Sequence, residues 1–452
     1  MLISIRDIYQ NPEELSKLEK IKVSGWVKTF SHKKKFIKIN DGSTLDDLQI
    51  VISQNNFFQA DLLKKINFAS SLSVKGKLVL TSEREQPCEL KEVEIEFVNS
   101  AEESYPLQKQ NIPLKTVRDY PHLRTKTYYF LTLFRLRHSI SKSIHDFFHQ
   151  QGFYYVPTPI ITSNDTEGAG ETFNITTDEE EPFFSKPVKL TVSGQLQAEA
   201  LAQGLGKVYT FSPCFRAEKS HTTRHLAEFW MVEPEMVFAD LGEITDLAEK
   251  MVKYVINYIL DNNGTELKKI ENYDEENKKE IINELKNIVI SEFERIDYTR
   301  AIEILKEKKE NFVFNDIKWG MDLQSEHEKY LCQHFDNSPI FITDYPAGLK
   351  AFYMKNNPDE KTVACFDLLF PEIGELIGGS VREDNYNILQ EKARKTGLDI
   401  NNLSWYFDLR KYGYAPSAGF GLGLERLIMF ISGTENIRDT IAFPRLHSKL
   451  SY

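Results

Sequence analysis

The chain has 452 residues, 41% of them hydrophobic and 12% aromatic, which suits two or three globular domains with large cores and excludes a disordered polymer. A formal net charge of −11 argues against bulk coating of nucleic acid, although a shaped contact needs only a local basic surface. Four widely spaced cysteines form no CxxC pair and read as reduced thiols of a cytoplasmic protein, no apolar run approaches the length of a membrane span, and the N-terminus lacks a signal-peptide pattern.

Residues 1–105 alternate apolar and polar positions in five short runs, from IKVSGWVKTF to EVEIEFV, with a helical segment near Asn56–Asn67. That pattern suits an OB-fold barrel. Lys33-Lys34-Lys35 runs straight into Phe36. Such a barrel can stack single-stranded bases on aromatics beside a cationic surface. A plain barrel with a solvated lysine loop fits the same residues equally well.

A proline-containing connector, 106–121, precedes a region from 122 to 452. Leu136, Ile140, Ile144, Phe147 and Phe148 fall at helical spacing, and Gly152 ends that helix. Phe153 to Ile160 reads as a short strand held open by Pro157 and Pro159. Ser163–Phe173, with two glycines and three acids, is a candidate mobile loop. An apolar run, Val188–Leu205, follows. Next comes FSPCFRAEKSHTTRHLAEFWMVEPEM, Phe211–Met236: two strand-like runs joined by a polar loop, hence an antiparallel hairpin. Arg216, Glu218, Arg224, His225, Glu228, Glu233 and Glu235 sit in it among apolar neighbours. Charges on inner strands are expensive unless paired or used to bind something. The segment 262–311 is charged and helix-prone and reads as a solvated helical insertion. Asp367 to Arg382 brings two carboxylates, Asp367 and Glu375, near a Gly-Gly turn, which suits Mg²⁺ bridging phosphates. GFGLGLER, Gly419–Arg426, reads as a glycine-rich strand running into a helix.

Four of these stretches resemble, in order, the motifs of class II aminoacyl-tRNA synthetases of the aspartate-type subclass: the helix with Pro159, FRAE…TTRHLAEFWMVEPEM, the acidic GGS segment and GFGLGLER. GQLQAEALA and EFWMVEPEM look like the asparaginyl branch. The resemblance implies an α+β fold: an N-terminal OB-fold β-barrel that binds the anticodon, and a class II antiparallel sheet flanked by helices. It implies ATP and Mg²⁺ as cofactors, and a homodimer formed through the motif 1 helix, with no membrane role. It assigns Arg216 to the α-phosphate, Arg426 to the γ-phosphate and Phe229 to the adenine. Glu218, Arg224, His225 and Glu375 complete the ATP side, and Asp367 and Glu375 hold the metal. Arg216, Arg426 and Glu375 are the expected catalytic groups. Glu167, Ser193, Gln195, Glu233 and Arg382 are expected around the amino acid, and Phe36, Gln49 and Lys35 around the anticodon.

Asparagine offers an acceptor and donors where aspartate offers acceptors only. A cation, Arg382, paired with an acceptor, Glu233, therefore suits the amide. Aspartyl enzymes usually carry a lysine where this chain has Ala198. The expected activity is ATP-dependent attachment of asparagine to tRNA(Asn) through an asparaginyl-adenylate. The alternatives are an aspartyl enzyme charging one or both tRNAs, an ammonia-dependent asparagine synthetase and a non-catalytic paralogue. The family's usual Pro-His before motif 3 is Pro416-Ser417 here.

Overall fold

Alternating apolar residues give five strands: β1 (Ile21–Ser31), β2 (Phe36–Asn40), β3 (Leu48–Val51), β4 (Ser71–Leu80) and β5 (Cys88–Asn99). They close into a barrel in the order β1-β2-β3-β5-β4, antiparallel except for β3 beside β5. Closure leaves no free sheet edge. Val23, Val27, Ile37, Ile39, Ile50 and Val74 point inward and form the core. This is a computed structural model that describes residues 2–31, 33–52, 60–81, 86–108, 112–164, 171–177, 183–220, 222–273, 280–448 and 450. The chain divides into two units, Met1–Phe134 and Arg135–Tyr452.

The stretch 106–121 belongs to the first unit, where Leu107 and Val117 are buried. Beyond it the Tyr128 hydroxyl donates to the Asp47 carboxylate at 2.5 and 2.6 Å. Lys28 Nζ donates to the Lys126 carbonyl at 2.6 Å, and burial pulls its ammonium down to about 8.

Helix Tyr128–Gln150, whose residues from Arg135 on belong to the second unit, leads to β6 (Tyr154–Tyr155). A small sheet of β7 (Ile161–Thr162), β8 (Asn174–Ile175) and β9 (Val188–Leu190) follows. The remaining strands are β10 (Lys207–Phe215), β11 (Glu228–Val237), β12 (Glu294–Asp297), β13 (Ile340–Thr343), β14 (Cys365–Phe370), β15 (Gly374–Val381) and β16 (Ser417–Gly423). With β6 they form an eight-stranded sheet, β12-β13-β14-β15-β16-β11-β10-β6, antiparallel except at its two ends. Helices flank it. Leu241–Asn262 begins in a capping box: Asp240 Oδ1 accepts from the Glu243 N–H, and Glu243 Oε2 from the Asp240 N–H. Its apolar stripe, including Ile244, Met251, Val255 and Ile259, is buried. Among the described residues no helix is long and apolar enough to cross a membrane. All four cysteines are buried and none is in a disulfide.

Two expectations change. The strand expected over Phe153–Ile160 shrinks to Tyr154–Tyr155, because Pro157 and Pro159 bring no N–H to a ladder. The charged segment 262–311 is more than a solvated helical face. Ile281, Leu285 and Ile288 are buried, and β12 supplies the edge strand of the main sheet. Its surface charge hides an apolar period that packs inward.

Candidate active site

The four chemically rich segments become neighbours through sheet register. Strands β10 and β11 pair antiparallel from Lys207 opposite Met236 to Phe215 opposite Glu228. Strand β11 pairs with β16, and β16 with β15. Glu235, Gly419 and Ser380 thus stand side by side on three strands. Along β11, Met231, Glu233 and Glu235 share one face, since side chains alternate.

At one end of this face lies a cavity of about 190 Å³. Arg216 and Glu218 line it from the end of β10. Arg224, His225 and Phe229 line it from the hairpin turn and the start of β11, and Glu375 and Arg426 from β15 and the helix Leu424–Ser432. The guanidinium of Arg216 lies 5.3 Å from the centre of the Phe229 ring. Arg224 donates to the carbonyls of Ile373 at 3.0 Å and Glu372 at 2.6 Å. Arg426 Nη1 donates to the Glu375 carbonyl at 2.6 Å. These bonds fix two cations at the cavity wall. Burial pulls the His225 imidazole down, which favours its neutral form.

Deeper in, Glu233 is 2% exposed. Ser193 Oγ donates to its Oε1, and the Gly194 N–H donates to its Oε2 at 2.9 Å. Each oxygen keeps a second lone pair for a ligand. Burial pushes the Glu233 carboxyl up, against these two hydrogen bonds and the charges of Arg216 and Arg382. The Gln195 side-chain nitrogen is buried and has no hydrogen-bond partner among the described residues. Arg382 forks onto Glu235 through Nε and Nη2 and donates from Nη1 to Ser380 Oγ at 2.7 Å. Glu235 keeps the guanidinium charged despite burial, which opposes it. Glu167 lies outside the described residues.

Asp367 and Glu375 meet across Gly378. A Cβ there would come within 2.8 Å of Glu375 Oε1 and 3.5 Å of Asp367 Oδ1. Lys350 Nζ donates to both Asp367 oxygens, at 2.7 and 2.6 Å. Burial opposes the Lys350 ammonium, but Asp367 more than offsets this and holds it charged. Among the described residues no cluster of three or more His, Cys, Asp or Glu side chains could hold a metal alone. Two carboxylates fit a cation such as Mg²⁺ that takes its other ligands from phosphate and water.

In the barrel, Ile37 and Ile39 point inward, so Phe36 and Lys38 point outward. Lys38 pairs with Gln49 in register. Phe36 and Gln49 thus share the outer face, and Lys35 sits in the preceding turn. Gln49 Nε2 donates to the buried Glu89 carboxylate at 3.0 Å.

Sequence reasoning missed Glu89, Lys350, Glu199 and Arg410, and it gave Glu235 no role. Glu199 follows Gln195 by one helical turn, the only local signal any of them carried. Glu89 meets Gln49 across strands, Lys350 reaches β14 from a loop, and Arg410 reaches Glu199 from a short 3-10 helix.

The family model for class II tRNA synthetases (D, K and N) matches residues 114–447. The chain is 46% identical to the asparagine–tRNA ligase of Alkaliphilus oremlandii, over 98% of each protein. It is 47% identical to the Mycoplasma mycoides asparagine–tRNA ligase over 100% of each. The chain belongs to the class II aminoacyl-tRNA synthetases, in their asparaginyl branch. Its fold is similar to a crystal structure of the Pyrococcus horikoshii asparaginyl-tRNA synthetase complexed with asparaginyl-adenylate. The TM-score is 0.86 at 32% identity, covering 99% of each chain. The synthetase motifs of the sequence therefore fall on the family's sheet.

Removing Lys350 leaves a buried carboxylate without its cation. Lys350→Ala is expected to cost about 3–5 kcal/mol, read as a lower denaturation midpoint. An unchanged midpoint would show that Asp367 does not depend on Lys350.

Proposed function

We propose that this protein activates asparagine with ATP and transfers it to tRNA(Asn). The observation that carries this reading is that Arg382 and Glu233, both 2% exposed, stand within electrostatic reach of each other. The cation meets the amide oxygen, and Glu233 accepts from the amide nitrogen. Aspartate would bring a second anionic oxygen against Glu233. Ser193, Gln195 and Glu167 complete the amino-acid pocket, with the open Gln195 amide donating to the substrate.

In the first step a carboxylate oxygen bonds to the α-phosphorus of ATP while the α–β phosphoanhydride bond breaks and pyrophosphate leaves, so two anions must be brought together. Charge builds on the phosphorus oxygens, so the residues that matter are fixed cations. Arg216 serves the α-phosphate and Arg426 the γ-phosphate, each with a planar fork that stays charged. Phe229 stacks on adenine, while Glu218, Arg224 and His225 orient the nucleotide. Asp367 and Glu375 would hold Mg²⁺, which when bound neutralises phosphate charge. No side chain is needed as a general base, because the attacking carboxylate is already ionised. Positioning supplies the rate.

The barrel reads the anticodon through Phe36, Gln49 and Lys35, with Glu89 orienting the Gln49 amide. Helix Tyr128–Gln150 and Pro159 form the surface of a homodimer, and buried cysteines without disulfides suit the reducing cytoplasm.

Pyrophosphate exchange with asparagine and aspartate separately tests the reading. The wild type should prefer asparagine by ~10⁴-fold or more. Arg382→Ala should abolish exchange with both, and Glu233→Gln should raise the aspartate-to-asparagine ratio. Below its raised pKa Glu233 carries a proton and loses an acceptor, so the KM for asparagine should climb as pH falls. A wild type that prefers aspartate would overturn the assignment. Phe36→Ala should weaken tRNA charging by about 1–3 kcal/mol and leave exchange intact. Equal loss in both assays would make Phe36 a packing residue. Sedimentation should find a dimer at micromolar concentration, and a fully active monomer would refute that surface.

A further inference from the structure

Arg382 is gripped along its backbone as well as its side chain. Its N–H donates to the Ser417 carbonyl at 2.8 Å. The next carbonyl, that of Glu383, accepts from Arg410 Nε at 2.9 Å. Arg410 is itself immobilised. Its Nη2 meets Glu199 Oε1 at 2.6 Å, and both side chains are 0% exposed. The guanidinium carbon lies 4.3 Å from the centre of the Tyr406 ring and 4.2 Å from that of Tyr414. The Tyr406 hydroxyl donates to Glu199 Oε2 at 2.6 Å, and the Tyr414 hydroxyl to Glu199 Oε1 at 2.7 Å. Tyr414 also hydrogen-bonds Ser417 Oγ at 2.6 Å, beside the carbonyl that holds Arg382.

A buried ion pair contributes little stability over an apolar replacement, so stability alone is a weak reason for this one. None of its members lines the phosphate cavity. Its contacts converge instead on the backbone on both sides of the Arg382 guanidinium. Glu199 also ties it to the helix that begins at Gln195. Fully satisfied buried networks rigidify what they touch. We propose that Arg410, clamped by Glu199, Tyr406 and Tyr414, is a positioning residue that sets the aim of Arg382 and so sharpens discrimination between a side-chain amide and a carboxylate. This rests on the reading of Arg382 as the group that meets the side-chain oxygen.

The test uses the full chain in pyrophosphate exchange with Arg410→Lys and Tyr414→Phe. Arg410→Lys keeps a cation for Glu199 but cannot hold Glu199 and the Glu383 carbonyl with one planar fork. Tyr414→Phe keeps the ring and loses the hydroxyl. The KM for asparagine should rise roughly tenfold in Arg410→Lys, the lower end of what loss of an outer hydrogen-bonding partner costs at metal sites. The aspartate-to-asparagine ratio should rise with it, while the KM for ATP and kcat hold. Tyr414→Phe should move the same two quantities by less. It decides the matter alone if Arg410→Lys does not fold. An unchanged KM for asparagine, or a uniform loss across both substrates and kcat, would overturn the positioning role. Arg382→Lys runs alongside. If it activates asparagine normally, the assignment of Arg382 fails. If it is inactive while the other two variants match the wild type, only the role of Arg410 fails.

Discussion

A guanidinium and a carboxylate, Arg382 and Glu235, are sealed between β15 and β11 at 2% and 0% side-chain exposure. Such a pair survives burial only when its hydrogen bonds are met. Here Ser380 takes the donor that Glu235 leaves over. Room for the carboxylate comes from the neighbouring strand. A Cβ on Gly419 would lie 2.3 Å from Glu235 Oε1, so no larger residue fits there. At least one glycine of the GFGLG strand thus serves the ion pair rather than a phosphate. The register of three strands, and with it the placement of the site, depends on that fit.

Around this pair the charges are arranged by depth. Arg410 and Glu199 form a closed pair that supports its neighbours, and Lys350 offsets part of the buried negative charge at Asp367 and Glu375. Arg216, Arg224 and Arg426 reach the cavity instead. Glu233 stands between the two groups: buried, with a donor on each oxygen, yet with lone pairs to spare. This arrangement suits chemistry that needs fixed charge more than proton transfer. The net charge of −11 is no obstacle to binding ATP, because what counts is the local cluster of arginines.

Much of the framework was legible in the chain. Period-2 alternation marked the barrel strands, because one face of each had to be buried. The charges in Phe211–Met236 and in the acidic GGS segment were visible because ionisable groups in apolar runs are rare without a use. The cavity gathers all seven residues expected on the ATP side. Less legible were the two-residue β6, where prolines silence a strand pattern, and β12, hidden in a charged stretch.

By itself the sequence determined the barrel strands, the long helix and the segments that carry chemistry, since periodicity and local charge are properties of contiguous residues. Only the tertiary structure decided the partners. Arg382 meets Glu235 across 147 residues, Arg410 meets Glu199 across 211, and Lys350 meets Asp367 across a loop and a strand. No local spacing encodes such pairings. They follow from strand order and register and, for Arg410 and Glu199, from helix packing, all set when the fold buries its apolar faces together.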